Sequence, residues 1–175
     1  QSDKYPLVAY ADNVKNFSNL SFSNNAVDAI WVGGEGVSTG TWQDHGVPYH
    51  VAPIAASTNV LILDGETLTL APGVDIRLGA GRGINVQGGL VANGDSCQFI
   101  TFDNIDPNDA QHWGSLLFSN CDPGTILNFC DIRNGGYNSQ ASVSVNGGGN
   151  NFVISNSRIT GSLGPQGGVA PDVIR

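Results

Sequence analysis

The self-similarity of "LNFCDIRNG" (Leu127–Gly135) and "ISNSRITGS" (Ile154–Ser162) constrains this chain more than any other feature. Leu127 and Ile154 lie 27 residues apart, as do Ile132 and Ile159. The same offset carries Leu116 onto Val143 and Phe118 onto Val145. Separate apolar pairs that agree on one period mean that the chain revisits the same structural position at that interval. An earlier stretch, "FSNLSFSNN" (Phe17–Asn25), has the same arrangement. Phe17 and Phe22 take its apolar slots, and Asn19 takes the slot of Phe129 and Asn156.

The middle of the chain carries apolar residues at alternate positions: Leu61/Leu63, Leu68/Leu70, Ile76/Leu78, Ile84/Val86, Leu90/Ala92 and Ile100/Phe102. Gly, Asn, Asp or Pro separates them. Alternation over a few residues denotes a short strand with one inward face. Three such strands per repeat place Leu61 against Ile84 and Ile76 against Ile100, spacings of 23 and 24 residues. A chain built this way winds as a solenoid, its parallel ladders about 4.8 Å apart. No window sustains a 3.6-residue period, which confines helix to a short piece near Tyr5–Lys15. A β-sandwich has longer strands joined by hairpins and leaves the repeated offset unexplained. The predicted fold is therefore all-β: one β-solenoid domain over 1–175, about six coils of three short strands. N-terminal coils fall in 17–51, regular coils in 59–162 and an extension in 163–175.

The residues "LTLAPGVDIRLGAGRGINVQGGLVANGDSCQFITF", then "HWGSLLFSN" and "TILNFCDIRNGG", resemble the right-handed parallel β-helix repeat modules of secreted bacterial surface proteins. The shared pattern is an apolar strand, a Pro-Gly turn, a second strand, a Gly-rich turn, then "V-x-G-x-L-x-A-x-G", "I-T-F" and "W-G-x-L". It covers about Val47 to Ser162, and "FSNLSFSNN" adds one further coil. The resemblance implies a right-handed coil and an aromatic packed at the turn of Trp113. It says less about activity, since such modules serve adhesins, surface-layer-like proteins and polysaccharide-acting enzymes alike.

Charge narrows the partners. Seven basic residues against 15 acidic ones give a net charge of −8. That balance excludes a nucleic-acid backbone, whose binding depends on Lys and Arg neutralising phosphates, and disfavours an anionic membrane surface. No run of about 18 apolar residues is present to insert into a membrane. The low-charge, Gly-, Asn- and Ser-rich composition points to a secreted or cell-surface protein. The expected function is non-enzymatic, structural or adhesive: a rigid solenoid stacking on neighbouring β-helix domains or subunits, with a filament as one form of assembly. No N-terminal capping helix is evident and the chain ends in "PDVIR", so strand edges are expected at both ends, to be covered by further chain or another subunit. The alternative is a carbohydrate-binding or polysaccharide-cleaving β-helix.

Few residues carry chemistry in this pattern. "GAGRG" (Gly79–Gly83) follows a strand, yet Ile84 occupies the third glycine position of a dinucleotide fingerprint and a strand follows instead of a helix. Its glycines are expected to supply positive φ at a corner, with Arg82 in solvent. Trp31 alternates with Ile30 and Val32 and is expected to face outward as a contact residue. Trp42, Tyr49 and His50 join it as ligand-contact candidates, since aromatic and polar groups along a groove suit sugar rings. Asp103, Asp106 and Asp109 in "DNIDPND" supply hard oxygen ligands for Ca²⁺, without the residue order of a calcium loop. No other cofactor is expected. Catalytic carboxylates are not clustered, and the 27-residue offset puts Asp131 beside Arg158 as an exposed ladder pair. Cys97 and Cys121 precede equivalent strands of neighbouring coils and form a candidate disulfide. Cys130 is expected to be buried. Asn16-Phe-Ser and Asn19-Leu-Ser have the form of glycosylation sequons, with Asn19 expected as a buried turn residue.

Overall fold

The structure, a computed structural model, describes residues 4–54, 59–106, 111–146 and 152–162. Strand β1 (Leu7–Tyr10) precedes the first turn, formed by β2 (Ile30–Gly33), β3 (Gly36–Val37) and β4 (Gly40–Trp42). The second turn is β5 (Tyr49–Val51), β6 (Val60–Ile62) and β7 (Thr67–Leu70). The third is β8 (Asp75–Leu78), β9 (Ile84–Val86) and β10 (Gly89–Asn93). The fourth is β11 (Ile100–Asn104), β12 (Leu116–Ser119) and β13 (Ile126–Asn128). The fifth is β14 (Cys130–Arg133), β15 (Val143–Asn146) and β16 (Val153–Ser155), after which β17 (Arg158–Thr160) begins another.

These strands stack into three parallel sheets: sheet I, β1-β2-β5-β8-β11-β14-β17; sheet II, β3-β6-β9-β12-β15; and sheet III, β4-β7-β10-β13-β16. The molecule is thus a parallel β-solenoid, with about five turns among the described residues and one extra strand on sheet I at each end of them. The further coil expected at Phe17–Asn25 forms no strand among the described residues.

The core is a set of ranks in which equivalent side chains of successive turns stack. On sheet I the inward rank runs Ile30, Tyr49, Ile76, Phe102, Ile132, Ile159. On sheet II it runs Ile62, Val86, Phe118, Val145, and on sheet III Trp42, Leu70, Ala92, Leu127, Ile154. The 27-residue offset is reproduced as register: Leu116 pairs with Val143, Leu127 with Ile154 and Asp131 with Arg158. In the second turn the expected face is inverted. Val60 pairs with Ile84, and Val60 and Ile62 point into the core, while Leu63 is exposed. "VLIL" is apolar at every position, so alternation could not select the face, and a one-residue slip exchanges the two faces. Ile76 pairs with Phe102 instead of Ile100, a slip of two that keeps the inward face.

Corners obey backbone sterics. Asn19, Phe129 and Asn156, which share one slot of the repeat, all take the left-handed conformation (φ 54°, 50° and 48°). Asparagine tolerates that region; a bulky residue resists it. At Phe129 the ring is held edge-on to Phe99, centroids 5.7 Å apart.

The two ends differ. A 3₁₀ turn at Ala11–Asn16 closes the N-terminal end, resting on β3 and β4 with Ala11 and Val14 fully buried. Its Asp12 carboxylate accepts hydrogen bonds from the Ser38 amide (2.9 Å) and Lys15 Nζ (2.8 Å). Together with the Ser38 hydroxyl, these hold the carboxyl down to about 2, the Lys15 contact being the largest effect. The Lys15 stem lies so close to Gly40 that a Cβ there would come within 2.7 Å of it. The expectation that this end lacks a helical cap is therefore corrected: the cap is a 3₁₀ turn too short to show as helical periodicity. At the C-terminal end the inward ranks emerge into solvent. Val145 is 47% exposed where Phe118 beneath it is 0%, and Ile154, Ile159 and Phe152 are only partly buried.

Candidate functional site

The four ligand-contact candidates separate into two environments. Trp42 and Tyr49 are fully buried, rings 5.2 Å apart, inside the first two turns. The Tyr49 hydroxyl donates to the Gln43 carbonyl at 2.6 Å. Neither ring offers a face to solvent, because both strands place these positions on inward ranks. Trp31 and His50 are adjacent on the outer face of sheet I, on a rank Val8, Trp31, His50, Arg77, Asp103. Trp31 faces outward as expected but is half-buried, because Tyr5 crosses over it edge-on at 4.6 Å. Tyr5 also covers His50, with its hydroxyl hydrogen-bonded to His50 Nδ1 at 3.1 Å. Burial, with the Arg77 charge second, pushes the His50 imidazole down to about 4.

The rest of that face is a lattice of ion pairs. Asp75 pairs with Arg77 at 3.0 Å, Asp103 with Arg133 at 3.6 Å, and Asp131 with Arg133 at 3.4 Å and Arg158 at 2.6 Å. The Asp131–Arg158 neighbourhood matches expectation, but its exposure does not: the Asp131 side chain is 7% exposed because two guanidinium groups cover it. Asp103, the first calcium candidate, also accepts a hydrogen bond from Asn134 Nδ2 at 2.9 Å. Asp109 lies outside the described residues, and Asp106 lies at the end of the segment before it. Among the described residues no three His, Cys, Asp or Glu side chains converge as metal ligands. Cys97, Cys121 and Cys130 are thiols, the first exposed and the others buried, so the Cys97–Cys121 bridge is not formed. Burial pushes the Cys130 thiol up to about 12. Trp113 is packed as expected, with its indole N–H donating to the Arg133 carbonyl at 2.6 Å.

"GAGRG" forms a corner stacked on His112–Gly114 of the next turn: the Gly81 amide donates to the His112 carbonyl (3.1 Å) and Gly114 to that of Arg82 (2.7 Å). Only Gly81 has positive φ (66°). Gly83 is required for a different reason: a Cβ there would lie 2.5 Å from the Ser115 carbonyl oxygen. Gly79 has neither constraint, since a Cβ would meet neighbours no closer than 3.6 Å. Arg82 is half-buried instead of solvated, and its Nε is buried without a hydrogen-bond partner.

A polar groove of about 620 Å³ was not expected from the sequence. It lies at the capped end, between the chain leaving the 3₁₀ turn (Lys15–Leu20) and the segment Thr41–His45 at the edge of sheet III. Asn19, expected to be buried, is exposed here. His45 lines the groove, its Nε2 is buried from water without a hydrogen-bond partner, and desolvation lowers this imidazole's pKa against the opposing charge of Asp44. The sequence signals were His45 beside Trp42 and the Asn19 slot, which located a corner correctly but could not show that among the described residues no strand flanks it. Comparisons with protein-family models, curated proteins and solved structures gave no match.

Proposed function

We propose that this chain is a non-enzymatic structural or adhesive module, a rigid rod displayed outside the cell and joined end-on to a neighbouring β-helix coil. The observation that carries this reading is the difference between its ends. The N-terminal end is closed by Ala11 and Val14, whereas the inward ranks at the other end expose Val145 and partly expose Ile154 and Ile159. Exposed apolar ends of a solenoid, with unpaired strand edges, demand a cover. A parallel coil is the cover that matches both the ladder spacing and the ranks. The closed N-terminal end favours one junction per chain over an open head-to-tail filament. The ion-paired carboxylates of sheet I support a structural role for that face.

Sedimentation equilibrium and hydrogen exchange of the whole chain test this. The expected result is concentration-dependent self-association that Val145→Lys abolishes without lowering the melting temperature of the monomer by more than a few degrees. A monomer at millimolar concentration whose β15–β17 amides resist exchange as strongly as those of β9 and β12 overturns the proposal, because the chain then closes its own end.

A further inference from the structure

We infer that the groove at the capped end is a binding site for a neutral, hydroxyl-rich ligand, a short oligosaccharide. Its volume, about 620 Å³, lies within the roughly 300–1,000 Å³ of small-molecule sites. The lining selects the ligand class. Asn16, Asn19 and Gln43 present carboxamides, each both donor and acceptor, and Thr41 adds a hydroxyl. None of these side chains has a hydrogen-bond partner among the described residues, so their capacity is available to a guest. The His45 ring also lines the groove.

Other ligand classes fit less well. Lys15, the one Lys or Arg of the lining among the described residues, is committed to Asp12 at 2.8 Å and to the Ser38 hydroxyl. Asp44 on the opposite wall repels anions, as does the net charge of −8. A wholly apolar guest would desolvate the carboxamides without replacing their bonds to water. Phe17, partly buried against the core, supplies the limited apolar surface that the C–H face of a sugar ring uses. This inference is independent of the end-on junction, which lies at the other end of the rod.

The test is an NMR titration of the whole chain with neutral tri- to hexasaccharides of glucose, mannose, galactose and N-acetylglucosamine. An oligogalacturonide serves as the acidic probe. The expected result is a shift of the Asn16, Asn19 and Gln43 side-chain amides and of the His45 ring with at least one neutral probe. Gln43→Ala and Thr41→Val should each weaken that binding about fivefold. Gln87→Ala, an exposed residue at a distant corner, should leave it unchanged. Absence of any shift at millimolar saccharide overturns the inference. So does preference for the oligogalacturonide, or binding that neither groove variant weakens while both keep the wild-type melting temperature.

Discussion

The three glycines of "GAGRG" should differ in what they tolerate, although the sequence presents them as equals. Consider alanine at each. At Gly83 the new Cβ would lie 2.5 Å from the Ser115 carbonyl oxygen and 3.2 Å from the Ser115 nitrogen, both backbone atoms of the next turn. That carbonyl accepts the Ile84 amide at 3.1 Å, and the Gly83 carbonyl accepts the Val60 amide at 3.2 Å. Relief by several tenths of an ångström must open the ladder here. Losing one such bond and leaving its buried partner unsatisfied costs about 2–4 kcal/mol. Reduced unfolded-chain entropy returns only about 0.4–1 kcal/mol. At Gly81 the cost is the left-handed backbone, about 1–2 kcal/mol, since the nearest neighbour is the Tyr137 ring at 3.2 Å and can adjust. At Gly79 contacts begin at 3.6 Å, so the entropy term dominates and the change is neutral to about 1 kcal/mol stabilising. For a chain of this size each kcal/mol shifts the melting temperature by about 2–4 °C. Gly83→Ala should therefore melt about 2–14 °C lower and Gly81→Ala up to about 6 °C lower, while Gly79→Ala stays at or slightly above wild type. Thermal unfolding followed by far-UV circular dichroism and tryptophan fluorescence measures this. Equal melting temperatures for Gly79→Ala and Gly83→Ala would refute the claim that close coil-to-coil approach governs this corner.

Further outcomes follow from burial and charge. His50 has a folded pKa near 4, below the unfolded value of about 6.5, so its contribution to stability is present above pH 6.5 and lost as the pH falls toward 4. The loss reaches about 3 kcal/mol. Melting curves between pH 7.5 and 4 should be flatter for His50→Gln than for wild type, and identical slopes would remove His50 as the cause. In the native chain a thiol reagent should label Cys97 quickly, with Cys121 and Cys130 reacting only after unfolding; rapid labelling of Cys130 would contradict its burial. Asp131→Asn, which uncouples a 7%-exposed carboxylate from two guanidinium groups, should destabilise by about 1–3 kcal/mol. Arg158→Ala should cost less than about 1 kcal/mol, because Arg158 is largely solvated. The order of these two in urea unfolding decides whether the face is held by the carboxylate.

Periodicity alone determined the solenoid. The ranks at Leu116/Val143, Leu127/Ile154 and Asp131/Arg158 follow from one offset, because parallel stacking converts sequence period directly into register. The slot shared by Asn19, Phe129 and Asn156 likewise forecast a common corner, and all three adopt left-handed backbone. Alternation failed where it lost contrast: in "VLIL" both faces are apolar, and only the neighbouring turns select Val60 and Ile62 for the core. Local pattern also could not tell a coil from a cap. Phe17 and Phe22 pack against the core as the repeat implies, yet the 3₁₀ turn at Ala11–Asn16 occupies the end of sheets II and III, and the chain beyond it makes no ladder. Exposure was decided by long-range contacts. Trp31 points outward as alternation requires, but Tyr5, 26 residues earlier, covers it. The groove and the exposure of Val145 are visible only in three dimensions, since each depends on which segments of the described residues lie beside a strand, and a one-dimensional repeat reads the same with or without a neighbour.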